Sequence, residues 1–199
     1  MIVVKLGGSL YQKPELKQWL AVLSRFAKQQ PIVIVPGGGP FSDQVRSAQQ
    51  CHQFTDHHAH HMAILAMAQF GLLITGIEPD CQPFYLPVDT TREPKQLSVW
   101  LPDKQLLSES GLNHSWDITS DSLALWLANK LAAEQLIIVK HCQTTPYPSI
   151  DELSKQGILD AGFQKLFAEI PVPSQIMPTQ DFHTLPERLA DNTVTWQLK

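Results

Sequence analysis

The run Val33-Ile34-Val35-Pro36-Gly37-Gly38-Gly39-Pro40 constrains this chain more than any other stretch. Ile32 to Val35 is continuously apolar and reads as a short buried strand. It stops at three glycines, and the amphipathic stretch Phe41 to Gln50 follows at once. A strand, a glycine turn and a helix start together make an anion site. Glycine lets backbone N–H groups approach a ligand closely, and the helix start adds unpaired donors and the positive end of a dipole. Gly37, Gly38 and Gly39 are therefore candidate phosphate contacts.

The pattern occurs a second time. Ile2 to Leu6 is an apolar strand interrupted only by Lys5, and Gly7-Gly8-Ser9 follows. A lysine buried at the end of a strand is costly unless it meets a negative partner. A lysine snorkelling at the sheet edge is the plainer reading. A cation aimed at a phosphate beside the glycines is the favoured one, because open α/β sheets bind ligands at the carboxyl ends of their strands. Pro14 to Gln29 carries Leu16, Leu20, Leu23 and Ala27 at helical spacing. The order strand, helix, strand, helix predicts an α/β fold whose mainly parallel sheet is covered by helices on both faces.

Trp116-Asp117-Ile118-Thr119-Ser120-Asp121-Ser122 leads into a helix marked by Leu123, Leu127, Ala128 and Leu131. Its start holds more acidic and hydroxyl groups than a cap needs. Asp121 either caps this helix or points into a cleft to fix the lysines or a Mg²⁺ ion. The strand Leu136 to Val139 then ends in a second lysine, Lys140. Two strand-end lysines with an acid at a nearby helix start suit a phosphoryl group in transfer. Further on, helix-like Ile150 to Gln156 precedes Gly157-Ile158-Leu159-Asp160. There Asp160 is expected to cap a helix from Ala161 to Glu169, with Lys165 exposed or facing phosphates. Short strands are expected at Leu72–Thr75, Phe84–Val88, Ser98–Leu101 and Ser174–Met177. A short helix at Pro186–Ala190 and a closing, antiparallel edge strand at Thr193–Leu198 complete the reading.

Between the second glycine turn and Trp116 lie residues suited to a small substrate. Asp43 and Arg46 stand one turn apart and either pair with each other or leave Arg46 to meet an anion. Thr55-Asp56 opens a helix to about Phe70 whose first turns carry His57, His58, His60 and His61. His57 and His61 have the spacing of two metal ligands, but no third ligand accompanies them, so no metal site is assigned. A helix face lining a polar cleft, with His60 touching substrate, is the simpler reading. Asp56 suits a cationic amine or serves only as a cap. The net charge of −4 gives no reason to expect nucleic acid. No apolar run is expected to reach the ~20 residues of a membrane span. Met1 to Lys5 reads as a strand rather than a leader, and three scattered cysteines suit a reducing, cytoplasmic setting.

Lys5-Leu6-Gly7-Gly8-Ser9, Pro36-Gly37-Gly38-Gly39-Pro40 and Thr119-Ser120-Asp121-Ser122 together resemble the amino acid kinase family, in its order and over most of the chain. The resemblance implies a three-layer αβα sandwich that transfers the γ-phosphoryl group of ATP, with Mg²⁺, to a small acceptor. It implies one domain over 1–199, with an acceptor and phosphate half at 1–115 and a nucleotide half at 116–199. It makes Lys5, Asp121 and Lys140 catalytic, and Gly7, Gly8, Ser9 and Gly37 to Gly39 phosphate contacts. Arg46, Asp56, His60 and Ser120 fall to the acceptor, and Lys140, Asp160 and Lys165 to the nucleotide. Gly39–Arg46, His61–Met67, Trp116–Ser122 and Gly157–Asp160 resemble the branch that phosphorylates an aminomethylfuran monophosphate. A homodimer through one helix face is also implied. Where many members have Asp-Gly after the strand before residue 140, this chain reads Lys140-His141-Cys142-Gln143, and it is shorter than most relatives. Other readings are a kinase for a carboxylate or a different monophosphate, a nucleotide-binding protein without chemistry, and a metal-binding protein built on His57 and His61.

Overall fold

A computed structural model describes residues 1–86, 96–104, 106, 111–142 and 149–190. Their elements run β1 (Ile2–Leu6), α1 (Glu15–Phe26), β2 (Ile32–Pro36), α2 (Gly39–His52), α3 (Asp56–Ile77), β3 (Gln82–Phe84) and β4 (Leu97–Trp100). They continue with α4 (Ser120–Lys130), β5 (Gln135–Lys140), α5 (Ile150–Lys155), α6 (Phe163–Glu169), β6 (Ser174–Pro178) and α7 (Leu185–Ala190). The six strands form one open sheet in the order β3-β4-β2-β1-β5-β6, and every pairing among them is parallel. From β1 the chain steps to β2 on one side and later returns to β5 on the other. The crevice of a doubly wound sheet opens at such a reversal, outside the carboxyl ends of the strands.

Two apolar cores cover the two faces of the sheet, and the period of two in each strand divides them. Ile2, Val4 and Leu6 of β1, with Ile137 and Val139 of β5, pack with Trp19, Leu20 and Leu23 of α1. Val3 of β1 and Ile138 of β5 face the other way, against Leu123, Leu127 and Ala128 of α4. Lys5 shares the side of Val3, and Lys140 shares the side of Ile138. The register sets Lys5 beside Ile138, so Lys140 stands one pleat further along the neighbouring strand. Both lysines are thereby aimed at the layer that contains α4.

Three expectations change here. Leu72 to Thr75 is not a strand but the last part of α3, which runs unbroken to Ile77. Its apolar residues have helical as well as strand spacing, and packing decides: α3 puts Ile64 and Met67 into one core and Phe70 and Ile74 into the other. At 22 residues α3 is also long and apolar enough to cross a membrane, against the expectation that no run would reach that length, yet it serves as a core helix. The strand expected at Phe84–Val88 ends at Phe84 and begins at Gln82; Val88 lies outside the described residues, as does the closing strand Thr193–Leu198.

Candidate active site

At the carboxyl end of β1 the chain turns through Gly7 and Gly8, and at the end of β2 through Gly37 to Gly39. The two turns press backbone against backbone. A side chain on Gly37 would come within 2.5 Å of the Gly8 nitrogen, and one on Gly8 would run into the backbone of Gly39. Glycine is required there for close approach, and at Gly39 also because φ is +53°. The Gly7 N–H donates to the Val139 carbonyl at 3.1 Å, and the Gly37 N–H donates to the Leu6 carbonyl at 2.9 Å. Their N–H groups stitch the strand ends together, and neither glycine is among the residues that line the cleft. Gly8, Ser9, Gly38 and Gly39 do line it.

The cleft holds about 450 Å³, a size suited to a small metabolite. Its floor is an ionic triad. Lys5 Nζ lies 2.8 Å from Asp121 Oδ1, in an ion pair without hydrogen-bond alignment. Lys140 Nζ donates to Asp121 Oδ2 at 2.6 Å. Lys5 is 3% exposed, Asp121 1% and Lys140 22%, so the carboxylate is sealed beneath two ammonium groups. Burial works against the charge of Asp121, but Lys5 and Lys140 outweigh it and hold the carboxyl below its ordinary range. Burial brings Lys5 down to about 8, opposed by Asp121 and aided by the like charge of Lys140. Asp121 does not cap α4: its oxygens face the two lysines.

The cap of α4 comes from elsewhere. One oxygen of Asp160 accepts from the Thr119 N–H and hydroxyl, both at 2.8 Å, and from the Ser122 N–H at 3.0 Å. The Ser122 hydroxyl donates to the other oxygen. Burial, with Asp121 close by, raises the Asp160 carboxyl, and these donors oppose the shift. Asp160 was expected to cap the helix after it. That helix begins only at Phe163, and the carboxylate reaches back to α4, whose free N–H groups offer a stronger site. The Asp160 N–H in turn donates to Asp121 Oδ2 at 3.3 Å, so cap and triad are joined.

The cleft also gathers Arg46, His60, Ser120 and Lys140 from the expected set. His60 is buried; burial and the neighbouring His114 hold its imidazole below its ordinary value. Arg46 does not pair with Asp43. Its guanidinium carbon lies 3.8 Å from the centroid of the Trp116 ring. Asp56 does not line the cleft; it accepts from Gln49 Nε2 at 2.7 Å. Lys165 is exposed on α6 and is not part of the lining. His57 turns to His114, Nδ1 to Nδ1 at 2.8 Å, rather than to His61. Among the described residues no group of three or more His, Cys, Asp or Glu side chains can hold a metal ion. Trp116 and Thr119 line the cleft as well, and neither stood out from its own chemistry in the sequence. An indole five positions before the acid, in a stretch otherwise polar, was the available signal for Trp116.

Comparison with known proteins gives the family and the fold. A family model described as "Amino acid kinase family" matches residues 1–143. The chain is 35% identical over 142 residues to the [5-(aminomethyl)furan-3-yl]methyl phosphate kinase of Methanocaldococcus jannaschii, covering 69% of this chain and 64% of that protein. It thus spans just under two thirds of that relative. Uridylate kinase from Archaeoglobus fulgidus superposes with a TM-score of 0.67 at 15% identity, over 94% of this chain and 95% of that one. Aspartate kinase from Synechocystis does so with a TM-score of 0.65 at 16% identity, over 90% of this chain and 38% of that one. At such identities the two structures speak for the fold alone.

Proposed function

Because the chain belongs to the amino acid kinase family, we propose that it transfers the γ-phosphoryl group of ATP to a small monophosphate, with an aminomethylfuran methyl phosphate as the favoured acceptor. The product is then a diphosphate, a good leaving group for a later coupling step in methanofuran-type cofactor synthesis. The observation that carries the reading is the triad: a buried Asp121 held between Lys5 and Lys140, directly below two glycine turns at the carboxyl ends of β1 and β2. The 35% identity to a furan phosphate kinase supports the acceptor.

A terminal oxygen of the acceptor phosphate attacks the γ-phosphorus, and the bond from that phosphorus to the bridging oxygen breaks, releasing ADP. An acceptor phosphate is already ionised, so no general base is needed. Position and charge do the work. Lys5 and Lys140 neutralise the oxygens of the group in transfer, and Asp121 fixes both ammonium groups so that neither reorganises during the reaction. Gly8, Ser9, Gly38 and Gly39 supply the cradle. In this scheme residues 1–115 hold the acceptor and residues 116–199 hold the nucleotide. The chain's own carboxylates at the floor are already engaged, Asp121 by lysines and Asp160 by α4. They do not form a Mg²⁺ site, so a divalent ion would arrive on the nucleotide's phosphates.

The exposed apolar residues Met62, Leu65 and Leu72 of α3 support the proposal of a homodimer through that helix. Three free cysteines suit a cytoplasmic setting. One observation keeps a second acceptor in view. Asp56, the carboxylate expected to meet the acceptor's amine, is tied to Gln49, which favours testing monophosphates that lack an amine. Phosphorus NMR with Mg²⁺-ATP and a panel of monophosphates and acidic amino acids decides. ADP and a new diphosphate signal with the furan alone are expected. ADP with another acceptor keeps the kinase and changes its substrate, and nucleotide binding without turnover rejects the catalytic reading.

A further inference from the structure

Arg46 is exposed on α2, yet no carboxylate lies within ion-pairing distance of it among the described residues, Asp43 one turn earlier included. Its guanidinium rests instead on the face of Trp116, 3.8 Å from the ring centroid. Stacking uses the face of a guanidinium and leaves the N–H groups of its edge free in the plane. Such an edge matches two oxygens of a phosphate or carboxylate. The indole itself is fixed. Its Nε1–H donates to Gln49 Oε1 at 2.7 Å, and Gln49 stands one turn after Arg46 on the same helix. Gln49 Nε2 is shared between Asp56 Oδ1 at 2.7 Å and the Phe54 carbonyl at 3.2 Å. On its other side Trp116 leads through Ile118 to Thr119, which is bound to Asp160 beside the triad. Trp116 and Arg46 both line the cleft that contains Lys5 and Gly39.

From this arrangement we infer that Trp116 is a positioning residue: its ring holds Arg46 as an anion-receiving arm on the acceptor side of the cleft. The inference rests on the reading of this cleft as the acceptor site. A free arginine on a four-atom stem samples many rotamers and loses that freedom on binding. A stacked one has already lost it, so the anion meets a prepared fork. Trp116 also belongs to the segment that starts α4. The arm is therefore built from both sides of the cleft: the guanidinium from α2, and its rest from the chain entering the helix of Asp121.

Isothermal titration of the full chain tests this with three probes: the aminomethylfuran methyl phosphate, inorganic phosphate and ADP. Trp116→Leu is expected to weaken both phosphate probes about tenfold, and Trp116→Phe, which keeps a ring and loses the N–H, about threefold. ADP affinity stays at the wild-type value in both variants. Adding Trp116→Leu to Arg46→Leu brings little further loss, because the ring acts only through the guanidinium. Unchanged phosphate affinity in Trp116→Leu overturns the inference. So does an equal loss for ADP, which marks a general disturbance, and so does full additivity with Arg46→Leu. If wild-type protein binds inorganic phosphate but not the furan, the acceptor assignment fails and the arm is still judged by the phosphate series. Wild-type protein that binds neither phosphate probe rejects the arm as well.

Discussion

On the floor of the cleft, a buried Asp121 holds two ammonium groups at 2.8 and 2.6 Å, Lys5 buried and Lys140 22% exposed. On its outer wall, Arg46 has an indole for a neighbour in place of a carboxylate. The floor joins residues from β1, β5 and α4, far apart in the chain, two of them almost fully buried. The wall joins α2 to the segment before α4 through one ring and one amide. On the floor two ammonium groups share one carboxylate, so one positive charge is left over for a ligand, and little can be removed from it without leaving a buried charge alone. The wall's cation is left unbalanced at the surface, where water keeps the cost low. A buried centre fixed by its own ion pairs suits chemistry that is the same for every acceptor, and an accessible cation with no carboxylate partner suits choice among acceptors.

The most severe way to break this comparison is at its buried carboxylate. Asp121→Asn is expected to lower kcat about a thousandfold. It should also remove about 3 kcal/mol of stability, since two buried or half-buried ammonium groups lose their counter-charge. Urea unfolding read beside steady-state rates checks both, and an unchanged kcat would return Asp121 to a capping role. Lys5→Ala comes next. It should cost about a hundredfold or more in kcat with a smaller fall in Tm, because Asp121 keeps Lys140. Near-normal turnover in that variant would remove Lys5 from the mechanism.

The pH dependence separates floor from wall without a mutation. Lys5 has been brought down to about 8 by burial, so its ammonium is lost as pH rises through that value. The expected result is that kcat/KM for the free enzyme falls on the alkaline side with an apparent pKa near 8. Stability moves oppositely: between about 8 and 10.5 the unfolded chain still holds the Lys5 proton while the folded one has released it. The Lys5 contribution to folding therefore improves with pH in that window. Asp121 has the reverse dependence, stabilising above the ordinary carboxylate range and ceasing to do so as pH falls through its lowered value. A flat kcat/KM profile from pH 7 to 9.5 would contradict the Lys5 assignment. The gentlest intervention is on the wall. Gln49→Leu removes the acceptor of the Trp116 N–H and should raise the KM for the monophosphate about threefold, with about 1 kcal/mol or less in stability. If kcat fell instead and KM held, floor and wall would not be separate devices.

Much of the floor was legible before folding was known. Lys5 and Lys140 each end an apolar strand, and an acid opens the helix between them. Less legible was which acid did what. Asp121 and Asp160 both looked like caps, and only the return of the chain past α4 shows Asp160 capping it from 38 residues away, freeing Asp121 for the lysines. The glycines divided in the same way. All were visible, but the loss of the Gly7 and Gly37 N–H groups to neighbouring strands depends on pairings that no local pattern encodes. Of the wall only Arg46 was legible, since Trp116 and Gln49 carry no periodic signal.

By itself, then, the amino-acid order determined where strands, glycine turns and helices fall, because propensity and apolar period act over a few residues. It also determined that two lysines would share a sheet face, because side chains alternate strictly along a strand. Only the tertiary structure decided which carboxylate each lysine meets, which N–H groups remain for a ligand, and that Arg46 stacks rather than pairs. Those outcomes turn on ångström-scale distances between residues remote in the chain, and they are set when α4 and the sheet pack together.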